Sequence, residues 1–239
     1  MPYILHIPHS SIVVPNRYGF DEFLIQAEID LLTDWHTDKI FNVRGIPKVI
    51  AQFSRVFCDV ERLPDKDEPM FKKGMGICYT HTDNLKTLRH LTPDYKKNII
   101  TQFYLPHHQK LTRLVETSLL NYKSVTVVDC HSFSSVPLKR EINQSLDRPD
   151  ICLGVDKFHT PKPILNQFRR FFKSQGFSVA INKPYSGTVI PLDYYQKESR
   201  AKGIMIEINK KLYMDEKRIL FYPQKIHYFH TLMEKLLSY

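Results

Sequence analysis

Long apolar runs are missing from this 239-residue sequence. No stretch approaches the roughly 18 consecutive apolar residues that a membrane-spanning helix needs. The amino terminus also lacks a charged segment followed by a long apolar run, which is the pattern of a secretory signal. We therefore expect no membrane segment and a cytoplasmic location.

Cysteine is scarce, and the spacing of the cysteines does not match a metal-binding motif. The four cysteines, Cys58, Cys78, Cys130 and Cys152, are far apart and form no CxxC pair. This pattern favours buried free thiols over a disulfide framework or a cysteine-type zinc site. Repeats, low-complexity tracts and Gly/Ser linkers are also missing, so we expect residues 1–239 to form a single domain.

Acidic residues are outnumbered by basic ones, and the formal net charge is +9. The basic residues are spread along the chain, and short runs such as Lys210-Lys211 and Arg169-Arg170 lie beside apolar patterns as solvated faces. No recognition helix or RNA-binding motif accompanies the charge, so we expect no nucleic-acid partner. An excess of this sign is compatible with a small anionic substrate.

Strands and helices alternate along the sequence, which predicts an α/β three-layer sandwich. Runs rich in apolar and β-branched residues predict strands, and these runs lie at Tyr3–Ile7, within Pro47–Val60 (one or two strands), and at 125–130, Phe177–Asn182 and Gly203–Asn209. Residues 63–91 and 132–153 are polar or rich in turn residues and predict loops.

Three segments carry apolar residues at helical spacing. Asp21–Phe41 begins with Asp21 as a possible N-cap. Pro93–Asn121 contains Pro106, which should kink the helix or divide it in two. Pro163–Gln175 should end at Gly176.

Two predicted strands end in a histidine followed by serine. His9 follows the first strand, and His131 ends the run Val125-Thr-Val-Val-Asp-Cys-His. A catalytic zinc takes about three protein ligands. His9 and His131 would supply two of them, and Asp34 and His36 are both chemically able to supply the third. Strand alternation predicts that His6 points to the opposite face of the first strand.

Glu207 is the candidate general base. It is the single carboxylate in the apolar run Gly203-Ile-Met-Ile-Glu207-Ile, where an unpaired charge is costly. The alternative is a salt bridge at a sheet edge. In the functional interpretation, the Glu207 carboxylate takes a proton from a metal-activated water.

Several further residues are candidates for substrate contacts. Arg55 lies within a third apolar segment, and Asp59 and Arg62 follow it. Arg62 is also a candidate catalytic residue, because an arginine at a strand end can polarise a carbonyl oxygen or grip a carboxylate. The alternative is a surface ion pair. Arg140 is a weaker candidate in a loop, and Tyr185 lies in a turn that would close over substrate or cover the core. His107-His108 is expected to pack or to face solvent rather than to bind metal.

Taken in order, these motifs resemble the N-formylglutamate amidohydrolase (N-formylglutamate deformylase) family. The matching pieces are Ile7-Pro-His-Ser10, Thr33-Asp-Trp-His-Thr-Asp38, Ser54-Arg55, Asp59-Val-Glu-Arg62, Gly76-Ile-Cys-Tyr-Thr80, Asp129-Cys-His-Ser132, Pro149-Asp-Ile-Cys-Leu-Gly154, Ile206-Glu-Ile-Asn209 and Tyr213-Met-Asp-Glu216. Each piece is short, and together they follow the family's order over nearly the whole chain.

The resemblance implies a fold similar to zinc carboxypeptidases and aspartoacylases, with a mixed sheet between helical layers (phosphorylase/hydrolase-like). It implies one Zn²⁺ ion, with His131 as a zinc ligand, Glu207 as the catalytic glutamate and Tyr185 on a mobile loop. It also implies hydrolysis of the C–N amide bond of N-formyl-L-glutamate or a similar N-acyl amino acid, as in histidine degradation.

The chain departs from these patterns at three places. The carboxypeptidase HxxE pair is absent because Ile12 stands three residues after His9, so Asp34 and His36 stay joint candidates for a metal ligand. Ser11 replaces a usual glycine, and Glu61 stands where the family usually has asparagine before Arg62. The alternatives are a carboxypeptidase-like or aspartoacylase-like hydrolase of another acyl or peptide substrate, and a non-catalytic binding protein of the same fold.

Overall fold

A six-stranded sheet forms the centre of the computed structural model, which describes residues 2–64 and 68–238. Its strands are β1 (Tyr3–Ile7), β2 (Lys48–Ile50), β3 (Val125–Phe133), β4 (Ile151–Gly154), β5 (Val179–Ile181) and β6 (Ala201–Asn209). They lie in the order β2-β1-β3-β6-β4-β5. The first four in that order are parallel, β4 runs antiparallel to β6, and β5 is parallel to β4. The sheet is therefore mixed, as predicted.

Helices cover the sheet on both sides. They are α1 (Ile25–Leu32), α2 (Thr37–Ile40), α3 (Pro93–Ile99), α4 (Leu105–Asn121), α5 (Lys162–Ser174) and α6 (Pro223–Leu237). Leu5 and Ile7 belong to a core shared with α2, α5 and α6, whereas Ile4 belongs to a core shared with α4. The strands are apolar on both faces because both faces are covered. The α/β sandwich is confirmed.

A further short hairpin and a second core complete the structure. Strands β7 (Met214–Asp215) and β8 (Leu220–Phe221) pair antiparallel. Apolar residues from α1 and the segments around residues 51–60, 75–79 and 99–104 pack into a core of their own. Within the described residues, no helix combines the length and apolar character that crossing a membrane requires.

The predicted helix over Asp21–Phe41 is two helices. Asp21 Oδ1 accepts hydrogen bonds from the backbone N–H groups of Phe23 and Leu24, and α1 begins one residue later. The chain leaves the helical conformation at Thr33, and the Asp34 N–H donates to the His9 carbonyl (3.0 Å). This backbone contact holds the break between α1 and α2 against the end of β1.

Pro106 has the predicted effect on the long helical segment. A π-helical stretch at Ile100–Tyr104 separates α3 from α4, and Pro106 lies in the first turn of α4. Its missing N–H is tolerated there because first-turn N–H groups have no intrahelical acceptor. Helix α5 ends before Gly176, whose φ of +85° is the left-handed conformation that favours glycine.

Three predicted boundaries are wrong. In the segment Pro47–Val60, Lys48–Ile50 forms β2, and the following residues form turns in which Ser54 O accepts from the Phe57 and Cys58 N–H groups. Strand β3 continues to Phe133, and β4 lies inside the segment predicted as a loop. Four residues are too short a run for periodicity to reveal.

The remaining loop and cysteine predictions agree with the described structure. Residues 63–91 are irregular apart from a short 3₁₀ turn at Phe71–Lys73 and isolated bridges, although residues 65–67 of that prediction lie outside the described residues. All four cysteines are buried free thiols.

Candidate active site

His9, Asp34 and His131 meet at the carboxyl end of the parallel strands, where α/β folds place their ligands. His9 follows β1, Asp34 occupies the break between α1 and α2, and His131 lies near the end of β3. Asp34 Oδ2 is 3.1 Å from His131 Nδ1 and 3.7 Å from His9 Nδ1. All three side chains are buried, and one ligand atom from each lies within 4.8 Å of the others.

Carboxylates fix the orientation of both histidine rings. His9 Nε2 donates to Asp59 Oδ1 (2.9 Å), and His131 Nε2 donates to Asp129 Oδ1 (3.0 Å). This leaves both Nδ1 atoms facing Asp34. Within the described part of the chain, the buried His9 Nδ1 has no hydrogen-bond partner. A carboxylate behind each imidazole, an unpaired Nδ1 on His9 and a His131 Nδ1 directed at the candidate ligand Asp34 fit a zinc site.

The charges around this trio shift its pKa values. Burial acts to raise the pKa of Asp34, but the His131 and His9 rings beside it lower that pKa far below its ordinary value. Burial acts to lower the pKa of His131, but the Glu61 and Asp129 carboxylates raise it well above its usual range. The Asp34 carboxylate is therefore ionised, as a metal ligand requires.

Glu207 lies beside the trio on β6, in register with His131 on β3. Its Oε2 atom is buried and lacks a hydrogen-bond partner among residues 2–64 and 68–238. Burial raises the pKa of Glu207 to about 8, and the Asp34 and Glu61 carboxylates add to the effect. Such a carboxyl in a cleft has the protonation behaviour of a general base.

Asp59 organises the basic side of the cleft. It accepts hydrogen bonds from Arg55 Nε (3.2 Å) and Nη2 (2.9 Å) and from the Tyr79 hydroxyl (2.7 Å). Burial acts to raise its pKa, but Arg55 and His9 hold that pKa well below its usual range. Arg62 Nε is 3.4 Å from Asp59 Oδ2 and makes no hydrogen bond to the described residues. Arg62 therefore retains donors for an anionic ligand.

His36 lies away from this cluster. Its backbone has a φ of 60°, and its ring packs edge-on against Phe221 with centroids 4.3 Å apart. The ring lines a separate groove beside α6. Of the two candidates for the third ligand, the structure brings Asp34 and not His36 to His9 and His131.

Arg140 and Tyr185 line the cleft wall, and each is held by a glutamate. Arg140 Nη2 donates to Glu28 Oε1 (2.6 Å), and its Nη1 donates to the His81 carbonyl (2.7 Å). The Tyr185 hydroxyl donates to Glu141 Oε1 (2.6 Å). The contacts of Arg140 are those of a buried structural arginine.

His6 and Glu61 were not among the predicted site residues, yet both lie beside the trio. His6 points to the α4 face of β1, opposite to Leu5 and Ile7, as strand alternation predicts, and its Nε2 is 2.9 Å from His107 Nε2. On this face its Nδ1 also reaches the site, 2.9 Å from Asp129 Oδ1. Pro8 ends the strand alternation before His9, so alternation does not relate the two histidines. Glu61 Oε1 lies 3.1 Å from His131 Nε2. Its unusual position before Arg62 was the available signal.

The cleft has a volume of about 620 Å³. Its floor carries the trio, Glu207 and the arginines, and its wall includes apolar side chains from Leu63, Met70, Met75, Leu138 and Ile142. This combination of an apolar wall and a few convergent polar groups is typical of a small-molecule site.

Known proteins match this chain over most of its length. It is 22% identical over 229 residues to N-formylglutamate deformylase of Pseudomonas aeruginosa, covering 90% of this chain and 83% of that protein. The crystal structure of N-formylglutamate amidohydrolase from Ralstonia eutropha superposes with a TM-score of 0.85 at 23% identity, covering 100% of this chain and 94% of the other. A protein of Agrobacterium tumefaciens superposes with a TM-score of 0.68 at 18% identity, covering 99% and 90%.

The family comparison covers the residues that form the candidate site. The model of the N-formylglutamate amidohydrolase family matches residues 1–214. This range includes His9, Asp34, Arg55, Arg62, His131 and Glu207. The chain is therefore a hydrolase of the N-formylglutamate amidohydrolase family.

Proposed function

We propose that this protein is a zinc-dependent amidohydrolase that cleaves the C–N amide bond of N-formyl-L-glutamate or a similar N-acyl amino acid. The observation that carries the proposal is the convergence of His9 Nδ1, His131 Nδ1 and the Asp34 carboxylate beside Glu207. The names of the related proteins support the substrate class.

The residues that would hold the metal are His9, Asp34 and His131. Two imidazole nitrogens and one carboxylate oxygen are a donor set that catalytic zinc accepts while keeping a position for water or substrate. When bound, zinc supplies Lewis-acid polarisation of the scissile carbonyl and lowers the pKa of water.

Glu207 moves the proton in this mechanism. Its Oε2 takes a proton from the attacking water as the new C–O bond forms at the acyl carbon. The same carboxyl then delivers that proton to the amide nitrogen as the C–N bond breaks. With the formyl substrate, the products are formate and glutamate, and Glu207 returns to its ionised form.

The arginines bind the charged end of the substrate. Both arginines approach the same Asp59 oxygen, Arg55 at 2.9 Å and Arg62 at 3.4 Å. Arg62 Nη1 also lies 3.6 Å from Glu68 Oε1, and these longer distances leave Arg62 donors for a substrate anion. A planar guanidinium binds a carboxylate by two parallel hydrogen bonds. Because Arg55 already donates two hydrogen bonds to Asp59, Arg62 is the better candidate for binding the substrate carboxylate.

The apolar wall favours one variant of this function. Met70, Met75 and Leu138 offer no partner to a formyl group or a carboxylate, and the cleft of about 620 Å³ exceeds what N-formylglutamate fills. An N-acyl amino acid with a longer acyl group or an apolar side chain would cover this wall.

Metal analysis combined with a formate-release assay tests the proposal. Purified protein is expected to retain zinc and to release formate from N-formyl-L-glutamate. Asp34→Asn should lose the ion held with His9 and His131, together with the activity, whereas His36→Asn, its matched control, should keep both. Protein without metal binding and without hydrolysis of formyl-, acetyl- or longer acyl-amino acids would contradict the proposal. Faster hydrolysis of amino acids with longer N-acyl groups than of N-formyl-L-glutamate would support the alternative substrate class.

A further inference from the structure

A second group of metal-binding side chains adjoins the first. His6 Nδ1 lies 2.9 Å from Asp129 Oδ1 and 3.6 Å from Glu61 Oε1. His131 Nε2 lies 3.0 Å from the same Asp129 oxygen and 3.1 Å from the same Glu61 oxygen. Two nitrogens and two carboxylate oxygens thus surround one small space on the α4 side of the sheet.

We propose that His6, Glu61 and Asp129 bind a second divalent metal ion, with His131 lying between the two positions. The inference rests on the proposed function in taking His9, Asp34 and His131 as the first site. It adds a metal site that the proposed reaction does not require.

The spacing of the four atoms fits a metal ion. Ligand atoms about 2.0–2.1 Å from a tetrahedral zinc lie roughly 3.3 Å from one another. The four measured separations range from 2.9 to 3.6 Å. Atoms from His6, Glu61 and Asp129 also lie within 4.8 Å of one another, as one shared ion requires.

Protons alone satisfy this arrangement poorly. Each of the two facing nitrogens carries at most one hydrogen, and both nitrogens face the same pair of carboxylate oxygens. His6 and Asp129 are buried, and a buried negative charge without adequate compensation is costly. A divalent cation between the two oxygens compensates both.

The residues behind the group hold it in a ligating orientation. His6 Nε2 is 2.9 Å from His107 Nε2 on α4, so the outer nitrogen of the ring is occupied and Nδ1 is directed to the acids. Asp129 Oδ2 accepts from the Val189 N–H (3.1 Å). Metal-ligating histidines and carboxylates have such outer partners. The Glu61 side chain is 19% exposed and lines the cleft, which gives an ion its entry path.

The ligand chemistry selects the kind of ion. Imidazole and carboxylate donors without sulfur suit zinc, cobalt or manganese. Zinc is the ion to test first because the adjoining trio has the same donor types.

Metal stoichiometry tests the inference directly. Chelator-stripped protein is titrated with Zn²⁺ by calorimetry, and the bound metal is counted by mass spectrometry after removal of free ions. Wild-type protein is expected to bind two ions per chain and Glu61→Gln one. His6→Asn is the second variant and should also bind one. His227→Asn, which changes an exposed histidine on α6, should keep two.

His9→Asn separates this inference from the proposed function. If wild-type protein binds one ion that His9→Asn loses and Glu61→Gln keeps, the second site is refuted and the first stands. If wild-type protein binds no ion, both are refuted. If Glu61→Gln and His9→Asn each keep one ion, both sites are supported. Anomalous diffraction at the zinc edge should then show two peaks beside His131, and a single peak would overturn the second site.

Discussion

Asp34 and Glu207 line the same cleft, yet their carboxyl groups shift in opposite directions. Burial acts on both, but the imidazoles of His131 and His9 face Asp34 and lower its pKa. Glu207 lies among carboxylates, and burial raises its pKa to about 8. Two carboxyl groups with separated pKa values can serve different roles. In the proposed mechanism, Asp34 is a metal ligand and Glu207 is the proton carrier.

Replacing Glu207 by Gln removes the proton acceptor and keeps the shape of the side chain. We expect kcat to fall roughly 10²–10⁴-fold, the usual contribution of a general base. Metal content should stay unchanged because Glu207 is not among the proposed metal ligands. The measurement is formate release beside metal analysis, with Glu116→Gln on the exposed face of α4 as control. Unchanged turnover would remove Glu207 from the mechanism.

The same residue makes the stability of the metal-free protein depend on pH. The pKa of Glu207 rises from an ordinary value of 4.5 to about 8 on folding. Between these values the folded protein holds a proton that the unfolded chain has lost, so the free energy of unfolding decreases as pH rises. Glu207→Gln lacks this titration.

Denaturant unfolding of the chelator-treated proteins at pH 5 and pH 8 measures the effect. Wild-type protein should lose more stability than Glu207→Gln over this interval, by a few kcal/mol, since one pKa unit corresponds to about 1.4 kcal/mol. Equal losses in the two proteins would show that the folded protein does not retain the Glu207 proton.

At the scale of the elements, loops and strand ends supply the site. Asp34 is positioned by the break between α1 and α2, where its N–H donates to the His9 carbonyl. Arg140 holds the loop after β3 in place. Its guanidinium donates to Glu28 Oε1 in the first turn of α1 and to the carbonyls of Lys73 and His81. Arg140 therefore ties three segments of the cleft wall together.

Removing the Arg140 charge should destabilise the fold. Arg140→Met leaves Glu28 buried without its partner, which costs about 3–5 kcal/mol of unfolding free energy. The matched control is Arg17→Met, because the Arg17–Glu22 pair is half exposed and such pairs contribute roughly 0–1 kcal/mol. Denaturant unfolding compares the two. An Arg140→Met protein with wild-type stability and a raised KM would instead make Arg140 a substrate ligand.

The helical segments that contain α1 to α5 were predicted from sequence, whereas helix α6 and the short strand β4 were not. Pro106 and Gly176 act through the backbone of their own segments, so their effects on α4 and α5 can be predicted from the neighbouring sequence. Strand β4 has four residues, and its partner β6 begins almost 50 positions later in the chain. Pairing with a distant strand, rather than its own pattern, makes this segment a strand.

At the scale of the whole molecule, the cleft depends on distant parts of the chain. His9, Asp34 and His131 come from three separate segments, and the sheet brings them together. The unfolded chain has no such arrangement, so binding of the proposed metal ion would be coupled to folding.

Zinc should therefore stabilise the fold. At a free concentration 100 times the Kd, one bound ion adds about 2.7 kcal/mol to the free energy of unfolding. For a chain of this size that corresponds to a Tm increase of roughly 5–10 °C. Thermal unfolding of chelator-treated and zinc-loaded protein measures it. The control is the double variant His9→Asn/Glu61→Gln, which lacks one ligand of each proposed site and should show a much smaller increase. An identical Tm with and without zinc would contradict a site in the folded cleft.

The sequence by itself determined the α/β class, the helical segments that contain α1 to α5, and the residue types at the strand ends, because periodicity and local backbone chemistry act over a few neighbouring residues. It also presented Asp34 and His36 as equal alternatives. Only the tertiary structure separated them, by directing Asp34 to His9 and His36 to Phe221. It likewise placed His6 and Glu61 beside His131 and Arg140 against Glu28. The reason is physical: such contacts join side chains distant in the chain, and packing of the whole fold decides which of them meet.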